Sequence, residues 1–152
     1  AAETGHLVLG TLHTTSAVKT IDRIIDALPG ELREQTKSFL AQSLKAVVTQ
    51  VLVKTPGGQG RHGVHEILVN NKAVSNLILT DQTHQIAAQL QTGTDSGMQT
   101  MDQALMGAIE KSLVDPDDAY RYANDKRKFQ RFVTNTDLLP KLDSGTTSNR
   151  TL

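Results

Sequence analysis

Three apolar residues in a row, Leu7, Val8 and Leu9, interrupt a polar opening and stop at Gly10. A continuous apolar run, rather than an alternating one, predicts a strand covered on both faces, as in parallel sheets. Gly10 predicts close approach of another backbone. Hydroxyls at Thr14, Thr15 and Ser16 follow, and they predict a helix start. Ile21, Ile24, Ile25 and Leu28 then recur at helical spacing, so one face is buried up to the Pro29-Gly30 break. A second, longer helix is predicted over residues 31–48, with Leu32, Phe39, Leu40, Leu44, Val47 and Val48 as its stripe. It runs into a strand at Val51, Leu52 and Val53. The turn residues at 55–60 and the alternation over 62–69 predict a β-hairpin across residues 50–69.

Beyond residue 70 the period is helical. Short helices are predicted over 72–79 (Val74, Leu77 and Ile78 inward), 82–90 (Ile86 and Leu90 inward) and 99–112 (Met101, Leu105 and Ile109 inward), with a loop at 93–97. Asp115-Pro116-Asp117-Asp118 combines a capping acid, proline at the first position and acids at the positive end of the dipole. That helix is expected to reach Phe129. From Thr134 onward, polar residues and glycine predict a flexible tail, 134–152. The order suits the last part of an α/β core over 1–69, followed by a helical subdomain over 70–133.

Composition narrows the function. The chain has 152 residues, with 16 basic balanced by 16 acidic, which argues against a general polyanion binder and against nucleic acid. There is no cysteine, so disulfides and thiolate zinc sites are excluded. No apolar run approaches the ~18 residues of a membrane span. The chain starts with Ala and enters a buried-type strand at once, so an upstream portion is expected. A soluble, cytoplasmic protein is the default expectation.

His13 is the leading candidate for chemistry. It lies between the predicted strand and the predicted helix, where its ring can face a crevice and donate a hydrogen bond to a terminal phosphate. A structural histidine bonded to neighbouring backbone is the alternative. His6 is weaker, because seven extended residues would separate the two rings by some 20 Å. Thr14 to Ser16 read as caps. Arg23 reads either as a solvated residue paired with Asp22 or Asp26, or as a group reaching across a subunit boundary. His62 and His65 have H-x-x-H spacing, but residues three apart on a strand face opposite sides, so no metal site is expected. The glycines at 57, 58 and 60 lack the Lys-Ser/Thr of a phosphate loop. Residues 126–131 form a short basic run, read as a solvated helix end. No Walker A loop and no strand ending in a magnesium-binding acid are present, so this chain alone is expected neither to bind nor to hydrolyse ATP well.

Glu3 to Ala17, with the following Lys19-Thr20-Ile21-Asp22-Arg23, resembles the histidine box of the type II and type IV secretion ATPases. Within them it is most similar to the retraction ATPases of type IV pili, the PilT-like branch. His65-Glu66-Ile67 and Gly97-Met98-Gln99-Thr100-Met101-Asp102 are similar to further segments of that family. Assembly-type pilus and type II secretion ATPases usually carry a four-cysteine zinc element here, and the absence of cysteine favours the retraction branch. Retraction ATPases typically carry A-I-R-N-L-I-R-E. Here Ala73 to Thr80 keeps the helix but replaces both arginines and the glutamate.

The resemblance implies an α/β chain: the C-terminal part of a RecA-like P-loop ATPase core plus a small helical C-terminal subdomain. It implies a homo-hexameric motor using ATP and Mg2+ in the full-length protein, with nothing bound by this part alone. It places catalytic roles on His13 and His6, with His13 nearest the γ-phosphate. Thr14 and Arg23 would couple nucleotide state to the subunit contact. It further implies twitching motility, a platform protein at the inner-membrane pilus base as partner, and peripheral membrane association through that partner. The alternatives are a non-enzymatic module docking to the platform, or a motor of type II secretion or pilus assembly.

Overall fold

The computed structural model describes residues 1–140. Two nine-residue strands, β1 (Ala46–Lys54) and β2 (Arg61–Val69), pair antiparallel, from Ala46 opposite Val69 to Lys54 opposite Arg61. Pro56 pre-sets the turn, and Gly57 takes φ 79°, a value that L side chains resist. The Gly58 amide donates to the Thr55 carbonyl at 2.8 Å and closes that turn.

Helices flank the hairpin. Before it come α1 (Ala17–Asp26) and α2 (Arg33–Ser43). After it come α3 (Lys72–Leu79), α4 (Ile86–Thr92), α5 (Met101–Glu110), α6 (Pro116–Tyr122) and α7 (Lys126–Phe129). Side-chain caps open several of these helices, those at Ser16 and Asp115 being the ones read from the sequence. The Ser16 hydroxyl accepts from the Lys19 amide, the Asn71 side chain from the Val74 amide, and the Asp115 carboxylate from the Asp118 amide. Thr100 and Gln103 form a reciprocal capping box at α5.

The interior divides into two clusters. The first joins α1 to α4 with the open end of the hairpin, around Ile21, Leu40, Val47, Leu68, Ile78 and Ile86. The second joins α5 to α7 with the turn end, around Val53, Val64, Leu105, Val114, Tyr120 and Phe129. One hairpin therefore serves both, Val47 and Leu68 at one end, Val53 and Val64 at the other.

Four expectations are corrected. Leu7, Val8 and Leu9 form no strand, and Leu7 and Leu9 stand 82% and 88% exposed. An apolar run needs cover on both faces and partner strands, and the described residues offer it neither. The helix predicted to run to 48 stops at Ser43, and β1 starts at Ala46. There Val47, Thr49 and Val53 point inward while Ala46, Val48 and Leu52 point out, a period of two that overrides the helical stripe. The helix predicted to reach Phe129 breaks after Tyr122, where Ala123 is extended (φ −64°, ψ 136°). The Asp102 carboxylate holds that break by accepting from the amides of Asn124 and Asp125.

The start of the expected tail is also anchored. Asp117 accepts from the Thr134 amide and hydroxyl and from the Asn135 amide, while Leu138 and Leu139 pack against the second cluster. Residues 141–152 of that expected tail lie outside the described residues.

Candidate functional site

The candidate residues lie along an exposed arm, 6–16, that leads into α1. His13 is exposed, three residues before the Ser16 cap. His6 is exposed at the far end of the arm, its Nδ1 2.9 Å from the Thr4 hydroxyl. No contact joins the two rings among the described residues. The Thr14 hydroxyl lies 2.6 Å from the Thr20 hydroxyl, and Thr20 donates its proton to the Ser16 carbonyl at 2.9 Å. Thr20 has only one proton, so Thr14 is the donor between them. That bond fixes the arm to the first turn of α1. It also leaves Thr14 with lone pairs, not a proton, to offer a ligand.

A helix N-terminus attracts anions through its free amides and dipole. At α1 two of those amides are already engaged. The Lys19 amide goes to Ser16, and the Ala17 amide donates to Glu66 Oε1 at 2.8 Å. Those two engaged amides leave the end of α1 fewer free donors than an open helix start would offer. Arg23 is exposed one turn and a half along α1 and enters no ion pair among the described residues. Asp26, one of its two expected partners, pairs instead with Arg33 at 3.1 Å.

Glu66 is the residue that sequence reasoning passed over. It projects inward from β2 and is only 5% exposed. Its second oxygen, Oε2, accepts from the Met101 amide, the first of α5, at 3.3 Å. One carboxylate thus takes the leading amide of two helices, where both dipoles favour a negative charge. The signal was present: Val64, Glu66 and Leu68 alternate as the inward set of β2, and an acid in that register must be bonded inside. The stretch 97–102 supports it. Gln99 bridges to Ile67 through paired backbone bonds of 2.8 and 2.9 Å, and its side-chain amide donates to the His65 carbonyl.

Other candidates resolve simply. His65 Nε2 lies 3.0 Å from Gln50 Oε1 across the ladder, and His62 is on the opposite face. Among the described residues no three His, Asp or Glu are grouped to hold a metal ion. In the basic run, Lys126 bonds the Tyr120 and Arg121 carbonyls and lies 4.8 Å from the Tyr120 ring centre. Burial lowers its pKa. Arg127 and Lys128 pair with Asp125. Lys126 therefore clamps the C-terminal end of α6, and its two neighbours are held at the start of α7. A shallow concavity of about 430 Å³ opens beside α3, between Leu44, Lys45, Lys72, Ser75 and Leu79. No described helix is long and apolar enough to cross a membrane.

Comparison with known proteins agrees with the resemblance read from the arm. Residues 1–57 match the family described as "Type II/IV secretion system protein". The chain is 53% identical over 125 residues to a twitching motility protein of Neisseria gonorrhoeae, covering 82% of this chain and 33% of that protein. It is 46% identical over 129 residues to the type IV pilus retraction ATPase PilT of Pseudomonas aeruginosa, covering 85% and 37%. A crystal structure of the pilus retraction motor PilT with bound ADP superposes with a TM-score of 0.71 at 35% identity, over 83% of this chain and 35% of that one. The chain spans about a third of the length of the curated relatives it matches. The α/β class expected from the sequence holds.

Proposed function

The chain is a PilT-like member of the type II/IV secretion family, and from that premise we propose that it forms the C-terminal part of a hexameric ATPase that powers type IV pilus retraction. The observation that carries the proposal is the exposed His13, on an arm tied to the first turn of α1 and inside the segment that matches the family. From there the imidazole can donate to a terminal phosphate contributed with the rest of a motor. His6 stands further back on the same arm as a second catalytic candidate. Thr14 would pass a change at the arm to α1 through Thr20. Arg23, free on the outer face of α1, would meet a neighbouring subunit. ATP is the substrate in this reading. The described residues build no cluster for Mg2+, so no step is assigned to it. The remaining partner is a platform protein at the inner-membrane pilus base, approached from the cytoplasm.

The test is ATP turnover by the longer protein with this chain as its C-terminal part. Turnover is expected, and His13→Ala should cut it by about 10²-fold or more, as loss of one well-placed donor does. Absence of turnover, or turnover indifferent to His13→Ala, overturns the reading.

A non-enzymatic docking module is a second reading, and α3 favours it. Ser75 and Leu79 stand where retraction ATPases carry arginines, and both line the concavity beside Lys45 and Lys72. Capture of a platform protein by a variant that turns over no ATP would support it.

A further inference from the structure

Glu66 holds α1 with one oxygen and α5 with the other. The α5 side is braced a second time, because Gln99 locks the entry of that helix to β2 at Ile67 and His65. The α1 side has no such brace from β2 among the bonds to its first turn. If α1 moves, Oε1 loses its donor inside the protein, and a buried carboxylate oxygen without a donor is costly.

Opposite Glu66 on the ladder sits Thr49. It too is 5% exposed, and its hydroxyl is a buried side-chain polar atom with no hydrogen-bond partner. Directly opposed residues share a face, with Cβ atoms about 4.5–5.5 Å apart. A threonine hydroxyl can turn to suit an acceptor. A buried donor with nothing to bond thus lies beside the carboxylate whose other oxygen holds α5 and whose Oε1 holds α1.

We propose that Glu66 and Thr49 form a partner-exchange latch at the root of α1. Closed, Oε1 holds the Ala17 amide. Open, the Thr49 hydroxyl takes that oxygen while Oε2 keeps the Met101 amide. The open state therefore carries no bare charge, and α1 can shift against β2 without unseating α5. Both residues are positioning residues. They would let a change at the histidine arm move α1 as a discrete step, and that use rests on the motor reading above. The latch itself does not.

Backbone amide exchange, followed residue by residue on the 152-residue chain, tests it without nucleotide. Thr49→Val keeps the shape and removes the waiting donor. The Ala17 amide should then exchange about fivefold more slowly, the effect of roughly one lost hydrogen bond in the open state, while Ile78 in α3 serves as reference. Equal slowing at Ala17 and Ile78 would mean that Thr49→Val merely stabilises the whole fold, and overturns the latch. No slowing at Ala17 overturns it as well. Glu66→Gln leaves one accepting oxygen for two amides, so protection should fall at Ala17 or Met101. Where it falls at Ala17, Thr49→Val should no longer slow that amide; where it falls at Met101, the remaining oxygen still holds Ala17 and the slowing should persist; the opposite result in either case contradicts the proposal. Should Glu66→Gln not fold, Thr49→Ser replaces it: it keeps the hydroxyl and should leave Ala17 exchange within about twofold of the unaltered chain, slowing equal to that of Thr49→Val being the overturning result. ATP turnover by the longer protein plays no part in these readings, so the latch and the motor reading fail separately.

Discussion

The two interior clusters are built on different principles. The first, around Ile21, Leu68 and Ile78, takes one carboxylate tie, from Glu66 to the Ala17 amide, and is otherwise joined by neutral groups: Asn70 and Ser75 donate to the carbonyls of Ala41 and Leu44 at the end of α2. The second is tied by carboxylates that accept backbone amides. Asp118 accepts from Lys54, Asp102 from Asn124 and Asp125, and Asp117 from Thr134 and Asn135. Charge-assisted bonds are the stronger kind and the more exacting in geometry. The short α6 and α7 cannot hold themselves as isolated helices. Acids at their ends supply what length does not. The longer α1 and α2 pack by their faces and need less.

The largest effect that probes this contrast is loss of an aromatic core residue. Phe129 is fully buried in the second cluster, and Phe129→Ala should cost about 3–5 kcal/mol by denaturant unfolding. Amide protection should fall first in α5 to α7. Equal loss in α1 to α3 would merge the two clusters into one cooperative unit.

A middle-sized effect compares the ties themselves. Asp118→Ala strands the Lys54 amide and should cost about 1–3 kcal/mol. Ser75→Ala should cost only about 0.5–1.5 kcal/mol, because Asn70 still donates to the Ala41 carbonyl. Equal losses in parallel melts would erase the distinction.

The smallest effect is in pH. The Thr134 hydroxyl donates to Asp117 and holds its carboxyl below the usual range. A lowered folded value means that this anchoring is present above the ordinary carboxylate value and is lost as pH falls through the lowered one. On α2, Lys37 is raised by Glu34 and then Asp81, so its contribution is present below the ordinary lysine value and lost as pH rises through the raised one. Acid should therefore loosen residues 134–139 and alkali the contact of α2 with Asp81. Amide exchange corrected for its intrinsic rate reads both. Loosening of residues 134–139 by alkali instead would reverse the assignment.

Local signals were legible where a single element decides. The bounds of α3 and its inward residues follow from apolar spacing, and the start of α6 follows from Asp115 and Pro116. Signals failed where two periods overlap. Leu40, Leu44, Val47 and Val48 suit a helix, yet Val47, Thr49 and Val53 suit a strand, and pairing with β2 chose the strand. They also failed where a partner is distant in sequence. Glu66 and Ala17 are 49 residues apart, and Asp118 and Lys54 are 64 apart. Each acid was visible, but which amide it would receive was not. At the candidate site the sequence placed His13 outside the core, and His13 and Arg23 are both exposed. The engagement of the Ala17 amide was hidden, because its acceptor, Glu66, belongs to the far strand.

The hairpin carries one more implication, for how this protein can change length. Its two strands touch different clusters at their two ends, and alternate residues face in. A single added residue within either strand would turn every later side chain over, exchanging Val53 or Val64 for a neighbour meant for water. The turn between Thr55 and Gly60 has no such obligation. Insertions, tags or grafted epitopes belong there, and the strands themselves should tolerate none.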